Sequence, residues 1–424
     1  MSGHIPDLEL SRFAHDPDSM EPDRAAEIER HTARCADCGT RLDFYMVTED
    51  PCEAEDAKAD ELLRPYFESP ARAARANLRR QREFQTGGVV RRLNARAHAI
   101  VASEPLAALT HADNAQGIAD ALPNELYPNH AVYELRGTAW KERANALLRL
   151  GRLSEALDSL ERAERAYGRL RFPGHGLAAV ELVRAAVYYR MGELERAAQH
   201  ADLSAHAYAQ LGQRHRGMKA LYLQGEIKYE AARYEEAAQI FRQVIDYGEE
   251  LNDAEWIAKG AYTLAHCELD CGKLGEAAVL FTKALTILRE IGPVADRVSA
   301  ESGLARVVLH GGNPTEAIRR LREVIAAFEQ MGMVSDAAMA SLDMADAFLV
   351  LKRPEQIEKI AAHAFRVLKK AGVLTGALTA LAYLKEAAAS RRVSPAVIDG
   401  VRRFLRRAER EPELLFIPQS DTFS

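Results

Sequence analysis

"GKLGEAA", residues 272–278, decides the fold because it does not stand alone. It has five counterparts: "GRLSEAL" (151–157), "GELERAA" (192–198), "ARYEEAA" (232–238), "GNPTEAI" (312–318) and "KRPEQIE" (352–358). Their first residues fall at 151, 192, 232, 272, 312 and 352, a spacing of 41 once and 40 four times. A fixed period of this length marks a repeat architecture, in which each repeat is one supersecondary unit that buries its apolar face against its neighbours.

Each turn joins two amphipathic stretches, one ending before it and one starting after it. The second stretch carries Ala156, Ala197, Ala237, Ala277, Ala317 and Ile357. Four residues on come Leu160, Ala201, Phe241, Phe281, Leu321 and Ala361, and three further on Ala163, Ser204, Val244, Ala284, Val324 and Ala364. That i, i+4, i+7 spacing predicts one buried face of a helix. Twelve residues before the marker position the first stretch carries Ala144, Ala185, Gly225, Ala265, Ala305 and Ala345, every one small. Small residues at a repeated site let two helices approach closely, with larger apolar side chains filling the grooves beside them. The sequence therefore predicts an all-α chain whose main body is an α-solenoid of helix pairs.

This pattern resembles the tetratricopeptide repeat (TPR) family over residues about 130–370, with weaker pairs extending it to about 88–410. Trp140 stands where that family often has an aromatic residue. The period of 40 exceeds the family's usual 34, and the family's proline at the end of the second helix is absent, so the helices are expected to be longer. "VVRRLNARAHAIVASEPLAALTHADNAQGIADAL" (89–122) reads as an additional, irregular pair with Pro105 at a helix start, and the pair "GGVV" (87–90) as a turn. "SPAVIDGVRRFLRRAERE" (394–411) reads as a charged capping helix at the end of the stack, leaving a tail at 412–424.

Ahead of the array the composition changes. "EDPCEAEDAKADE" (49–61) is acidic and "ARAARANLRRQR" (71–82) basic, and residues 46–88 read as a charged linker carrying one helix. Residues 1–45 read as a separate small domain. It contains "HTARCADCG" (31–39), in which His31, Cys35 and Cys38 are spaced i, i+4 and i+7 and would share one helix face, with Gly39 placed to end the helix. Those are three of the four N and S donors that a tetrahedral metal site needs, and the fourth would be His4 or His15. A segment of about 40 residues buries too little apolar surface to fold easily without such help.

Residues 4–42 resemble the zinc-binding anti-sigma-factor domain of bacteria. "HIPDLELSRF" (4–13) matches its first helix, "SMEPDRAAEIER" (19–30) its turn and second helix, and "HTARCADCGTRL" (31–42) its metal signature. The resemblance implies a Zn2+ site of His4, His31, Cys35 and Cys38, with His4 preferred over His15, and a sigma factor as partner. In some members of that family oxidation of the thiolates expels the zinc and releases the sigma factor. Here the first ligand would be a histidine, leaving Cys35 and Cys38 as the local pair and Cys52 as an outside candidate.

The remaining readings narrow the function. The chain has 424 residues, 48% hydrophobic and 28% charged, which suits about two to four soluble domains. A formal net charge of −6 does not favour nucleic acid as a partner. No apolar run approaches the roughly 18–20 residues of a membrane helix, and "MSGHIPDLELSRF" has no basic segment followed by an apolar one. A cytoplasmic protein with reduced thiols is expected. "AHCELDCG" (265–272) could pair Cys267 and Cys271 on a metal but reads more simply as small core residues. No phosphate loop, nucleophile elbow, metalloprotease helix or dinucleotide fingerprint occurs, so an enzyme is not expected.

By the register of the TPR family the first helix of each pair lines a binding face. Its side chains would include Asn145, Lys219, Tyr222, Glu226, Lys259, Tyr262, His266, Arg306 and Asp346, with Lys and Tyr recurring at 219/259 and 222/262. Such a patch could hold an extended acidic peptide by charge-assisted hydrogen bonds. Taken together, the sequence reads as a regulatory binder: a zinc domain for a sigma factor and an array for a second partner or a signal. The rival readings are a TPR scaffold in which zinc is purely structural, and a peptide-sensing transcriptional regulator, for which a basic DNA-reading helix is missing.

Overall fold

The computed structural model describes residues 4–5, 9–10, 13, 20, 22–35, 38–39, 42, 50–68, 78–122, 127–171, 173–372, 375–408 and 415–417. Among them the chain is all-α, with eighteen helices, two short 3-10 turns and no strand. It divides into two compact units, residues 1–220 and 221–424.

Unit 1 begins with α1 (Pro22–Thr32) and α2 (Asp50–Phe67), followed by α3 (Gly87–Ile100), α4 (Pro105–Ala121), α5 (Asn129–Arg149), α6 (Leu153–Tyr167), α7 (Gly174–Arg190) and α8 (Leu194–Gln210). The first part of α9 (Arg214–Glu230) completes it. Unit 2 runs from the rest of α9 through α10 (Tyr234–Glu250), α11 (Ala254–Asp270), α12 (Leu274–Ile291), α13 (Val294–His310), α14 (Pro314–Gln330), α15 (Val334–Val350), α16 (Pro354–Lys370) and α17 (Thr375–Ala389) to α18 (Pro395–Ala408).

The repeat turns lie where the sequence places them, for a local backbone reason. Gly151, Gly192, Ala232, Gly272, Gly312 and Lys352 all have positive φ, between +57° and +84°. At each, the helix ends in two closing bonds: in the 272 turn, Gly272 N–H donates to the Leu269 carbonyl and Lys273 N–H to that of Glu268 (2.9 and 2.8 Å). This is a Schellman end, which needs a left-handed residue and so favours glycine. A second set of turns at Gly212, Asn252, Gly332 and Gly372 is also left-handed, 20 residues out of phase with the first. Nine of the ten helices from α7 to α16 have 17 residues and α12 has 18. The period of 40 is therefore two 17-residue helices and two three-residue turns, which confirms the longer helices expected.

The packing columns are also as read. All six marker residues, the six that follow at +4 and the six at +7 are buried, as are Ala144, Ala185, Ala265, Ala305 and Ala345 of the small column. Bulk and smallness alternate across the helix contacts, and this carries the hydrophobic stabilisation of each layer.

Three expectations change. The helix of the charged stretch at 46–88 is packed against α3. Ala59 and Leu63 of α2 are buried with Leu78, Phe84, Val90 and Leu93, while Glu55 and Asp56 pair with Arg91 (3.2 and 2.8 Å). The acidic block of the sequence is one side of this contact; its partner Arg91 stands on α3, beyond the basic block at 71–82. Gly87 and Gly88 are not a turn: they open α3, capped by Thr86, with Gly88 N–H donating to the Glu55 carboxylate at 2.9 Å. A carboxylate there also answers the positive end of the helix dipole.

The third change concerns α18. Its main neighbours are α17 and α15. The second helix α16 already bridges those same two first helices. Two helices cannot fill one groove, so α18 lies on the opposite side, along the face that the second helices leave open. It buries Val397, Ile398, Val401, Phe404, Leu405 and Ala408 there. Phe416, from the expected tail, packs edge-on against Phe404 and beside Tyr383.

Candidate functional site

His4, His31, Cys35 and Cys38 converge: one ligand atom from each lies within 4.8 Å of all the others. Their placement differs from the single helix face expected. Helix α1 ends at Thr32, so only His31 stands on it, and Cys35 lies beyond its end. The chain turns there, with Arg34 and Cys35 N–H both donating to the His31 carbonyl (3.0 and 2.8 Å). Gly39 has no left-handed φ; its role is close approach, since a Cβ there would stand 2.9 Å from the Thr32 carbonyl oxygen. The His4 Nδ1 atom is 3.5 Å from both Cys35 Sγ and Cys38 Sγ. His31 Nε2 is buried with no hydrogen-bond partner. An imidazole nitrogen left so is costly unless something else occupies its lone pair. Among the described residues the core around the cluster is Ile5, Leu10, Ile28 and Cys38, with Phe13, Met20 and Leu42 against it. Arg24 Nε donates to Glu9 at 2.8 Å and ties α1 to the preceding segment. His15, the alternative ligand, lies outside the described residues. Among the described residues this is the only such convergence of donors; Cys267 is instead a buried core residue.

The expected binding-face residues divide between the units. In unit 1, Asn145 donates to Glu142 Oε2 at 2.9 Å, and Lys219 is exposed. Burial alone would raise the Glu142 carboxyl, but His98 and Lys141 hold it at about 2. In unit 2, Tyr222 and Tyr262 pack on Phe241 and Phe281 at matched positions, with ring centroids 5.5 and 5.9 Å apart. Their recurrence is thus a packing motif of the repeat. Lys259 lies over the Trp256 ring at 5.3 Å and pairs with Glu255.

His266 and Arg306 belong to a polar ladder. Arg306 Nη1 is 3.1 Å from His266 Nδ1 and its Nη2 is 3.2 Å from Asp270, which also accepts from the Tyr229 hydroxyl. Arg306 Nε is 3.9 Å from Asp343. Asp343 is 3.3 Å from Arg402 of α18, which also pairs with Asp346 and Asp399. Burial pushes His266 well below its usual range, with Arg306 and then Arg406 adding to it. Sequence reasoning placed His266, Arg306 and Asp346 in one register column but missed Asp270, Asp343 and Arg402. Arg402 lies outside the repeat, so no periodicity could point to it.

The comparisons with known proteins agree with the fold. The tetratricopeptide repeat pattern matches residues 219–247, which span parts of α9 and α10 and the turn between them. The chain is similar in structure to aspartyl phosphate phosphatase F from Bacillus subtilis, at 15% identity and a TM-score of 0.54, over 87% of this chain and 95% of that one. A Rap protein complexed with competence and sporulation factor aligns at 13% identity and a TM-score of 0.45, over 77% and 100%. A TPR protein from Parabacteroides merdae aligns at 16% and 0.43, over 75% and 98%. No curated protein matches the chain by sequence. No helix among the described residues is long and apolar enough to cross a membrane.

Proposed function

We propose that this chain is a cytoplasmic regulatory protein of the anti-sigma type. Residues 1–45 form a zinc-folded domain that captures a sigma factor, residues 46–88 connect it to the array, residues 89–411 form a TPR-like array that receives a second protein or peptide, and 412–424 follow as a tail. The observation that carries this reading is the convergence of His4, His31, Cys35 and Cys38. Zn–S and Zn–N bonds of about 2.3 and 2.0–2.1 Å in a tetrahedron put N and S about 3.5–3.6 Å apart. The His4–Cys35 and His4–Cys38 separations of 3.5 Å fit that figure, and the partnerless His31 Nε2 supplies the fourth donor. Bound zinc would supply folding free energy to a segment whose described buried core is Ile5, Leu10, Ile28 and Cys38. His31 opens the signature near the end of α1, and the resemblance to anti-sigma domains likewise sets the signature at the end of a helix.

Sequestration requires a competing surface and no catalytic step: the domain covers the sigma surface that polymerase would use. The test is a pull-down of the host's sigma factors with the zinc-loaded full chain and with Cys35→Ser/Cys38→Ser. The wild type is expected to carry one zinc and retain a sigma factor, and the double variant to carry none and retain nothing. Zinc bound at full occupancy by the double variant would refute the site. Zinc-loaded protein that retains no sigma factor would favour the scaffold reading.

A further inference from the structure

We propose that α18 is a removable occupant of the first-helix face of unit 2, holding in cis a groove whose partner in trans is a basic amphipathic helix. Four observations carry this. First, α18 sits on α15 and α17 from the side opposite α16, so it covers the face that the repeat pairs leave open. Its charge reaches further: behind burial and the nearer Arg306 and Asp270, Arg406 is close enough to act on His266 of α11 and Tyr229 of α9.

Second, the contact has the chemistry of ligand recognition. Apolar anchors at Val397, Val401 and Phe404 are buried. The mostly buried Arg402 reaches between Asp343 and Asp346, with side-chain exposures of 15, 14 and 29%. A helix laid into a groove by i, i+4, i+7 anchors is a recurring mode of peptide recognition, and an arginine between two carboxylates selects a basic one.

Third, the helix is weaker than its amphipathic pattern allows. Gly400 sits mid-helix, yet a Cβ there would meet nothing within 4 Å. Packing does not require this glycine, and relative to alanine it costs the helix about fivefold in its equilibrium. Fourth, Arg391 closes α17 at φ +57° with the same pair of bonds as the repeat turns, its N–H donating to Ala388 and that of Arg392 to Ala387 (3.0 and 2.8 Å), so the end of α17 is complete without α18. A self-contained end to α17, a central glycine and an ionic anchor together make a docked state that another helix can displace.

The proposal rests on the array being a binding scaffold but not on the sigma factor, whose capture by the N-terminal domain is scored separately by pull-down. The experiment uses the full chain, hydrogen exchange over 395–408 and a fluorescent peptide of residues 394–408. Arg402→Ala should speed exchange in α18 by about tenfold or more, leave α13 and α15 protected, and increase peptide uptake by a similar factor. Gly400→Ala should act oppositely, with exchange slowed about fivefold and uptake reduced. Exchange in α15 rising in step with α18, or an Arg402→Ala chain that takes up no peptide, would overturn the proposal.

Discussion

The N-terminal His/Cys cluster and the repeat array meet one problem, burying enough to stay folded, in opposite ways. The first has, among the described residues, Ile5, Leu10 and Ile28 buried beside four convergent donors, of which Cys38 is itself buried, and on the proposed reading it depends on the metal those donors hold. Among the described residues the array has no such centre; within each unit its stability is a sum over layers of packed helices, and the same columns of small and large side chains recur every 40 residues. A single point of failure exists in the first and not in the second. On the proposed reading, that difference suits a metal-dependent head on a body able to hold its own fold while the head's state changes.

The largest effect in the array should come from a column residue. Phe281 is fully buried, and Phe281→Ala should cost about 3–5 kcal/mol by cavity formation, read from the urea midpoint. Zinc content should not change. If the metal were lost as well, the two regions would not be independent.

Acid should act next. Burial, with Arg96 adding to it, lowers His111 to about 4, so the folded form keeps it neutral where the unfolded chain takes up a proton. The folded pKa lies below the unfolded one, so this contribution is full above about pH 6.5 and decays as pH falls towards about 4, by roughly 3 kcal/mol in total. Glu142 adds a loss in the same direction at lower pH, between its ordinary range and about 2. Stability measured against pH should fall below 6.5, and His111→Leu should flatten the decline between 6.5 and 4.

How far the sequence discloses each region follows from the same contrast. The turns at 151 to 352 were legible because a left-handed helix end repeats its chemistry, and the buried columns because helical spacing repeats with it. The interleaved turns at 212, 252, 332 and 372 were less so: Asn252 substitutes for glycine, and the expected member at 292 has φ −93°. The four candidate ligands were legible as residue types. Their geometry was not, because Cys35 and Cys38 reach His31 through a turn rather than along a helix. The docking of α2 and the reversal of α18 rest on long-range pairs, Glu55 and Asp56 with Arg91, and Arg402 with Asp343. No local pattern encodes those pairs.

The smallest effects test the turn column itself. Gly272→Ala should cost about 1–2 kcal/mol by placing a Cβ at φ +79°. Ala232→Gly and Lys352→Gly, where the column holds other residues at φ +57°, should gain up to about 1 kcal/mol each. Equal responses at all three would mean that backbone strain does not govern these turns.

The most direct test of the central claim is hydrogen exchange on the intact, zinc-loaded chain before and after chelation, with zinc counted by native mass spectrometry. One zinc per chain should be found. Its removal should abolish protection over residues 22–35 while leaving 254–350 unchanged, because the head folds on its metal and the array on its neighbours. A chain that carries no zinc, or whose first 45 residues keep their protection after the metal is stripped, would contradict the account.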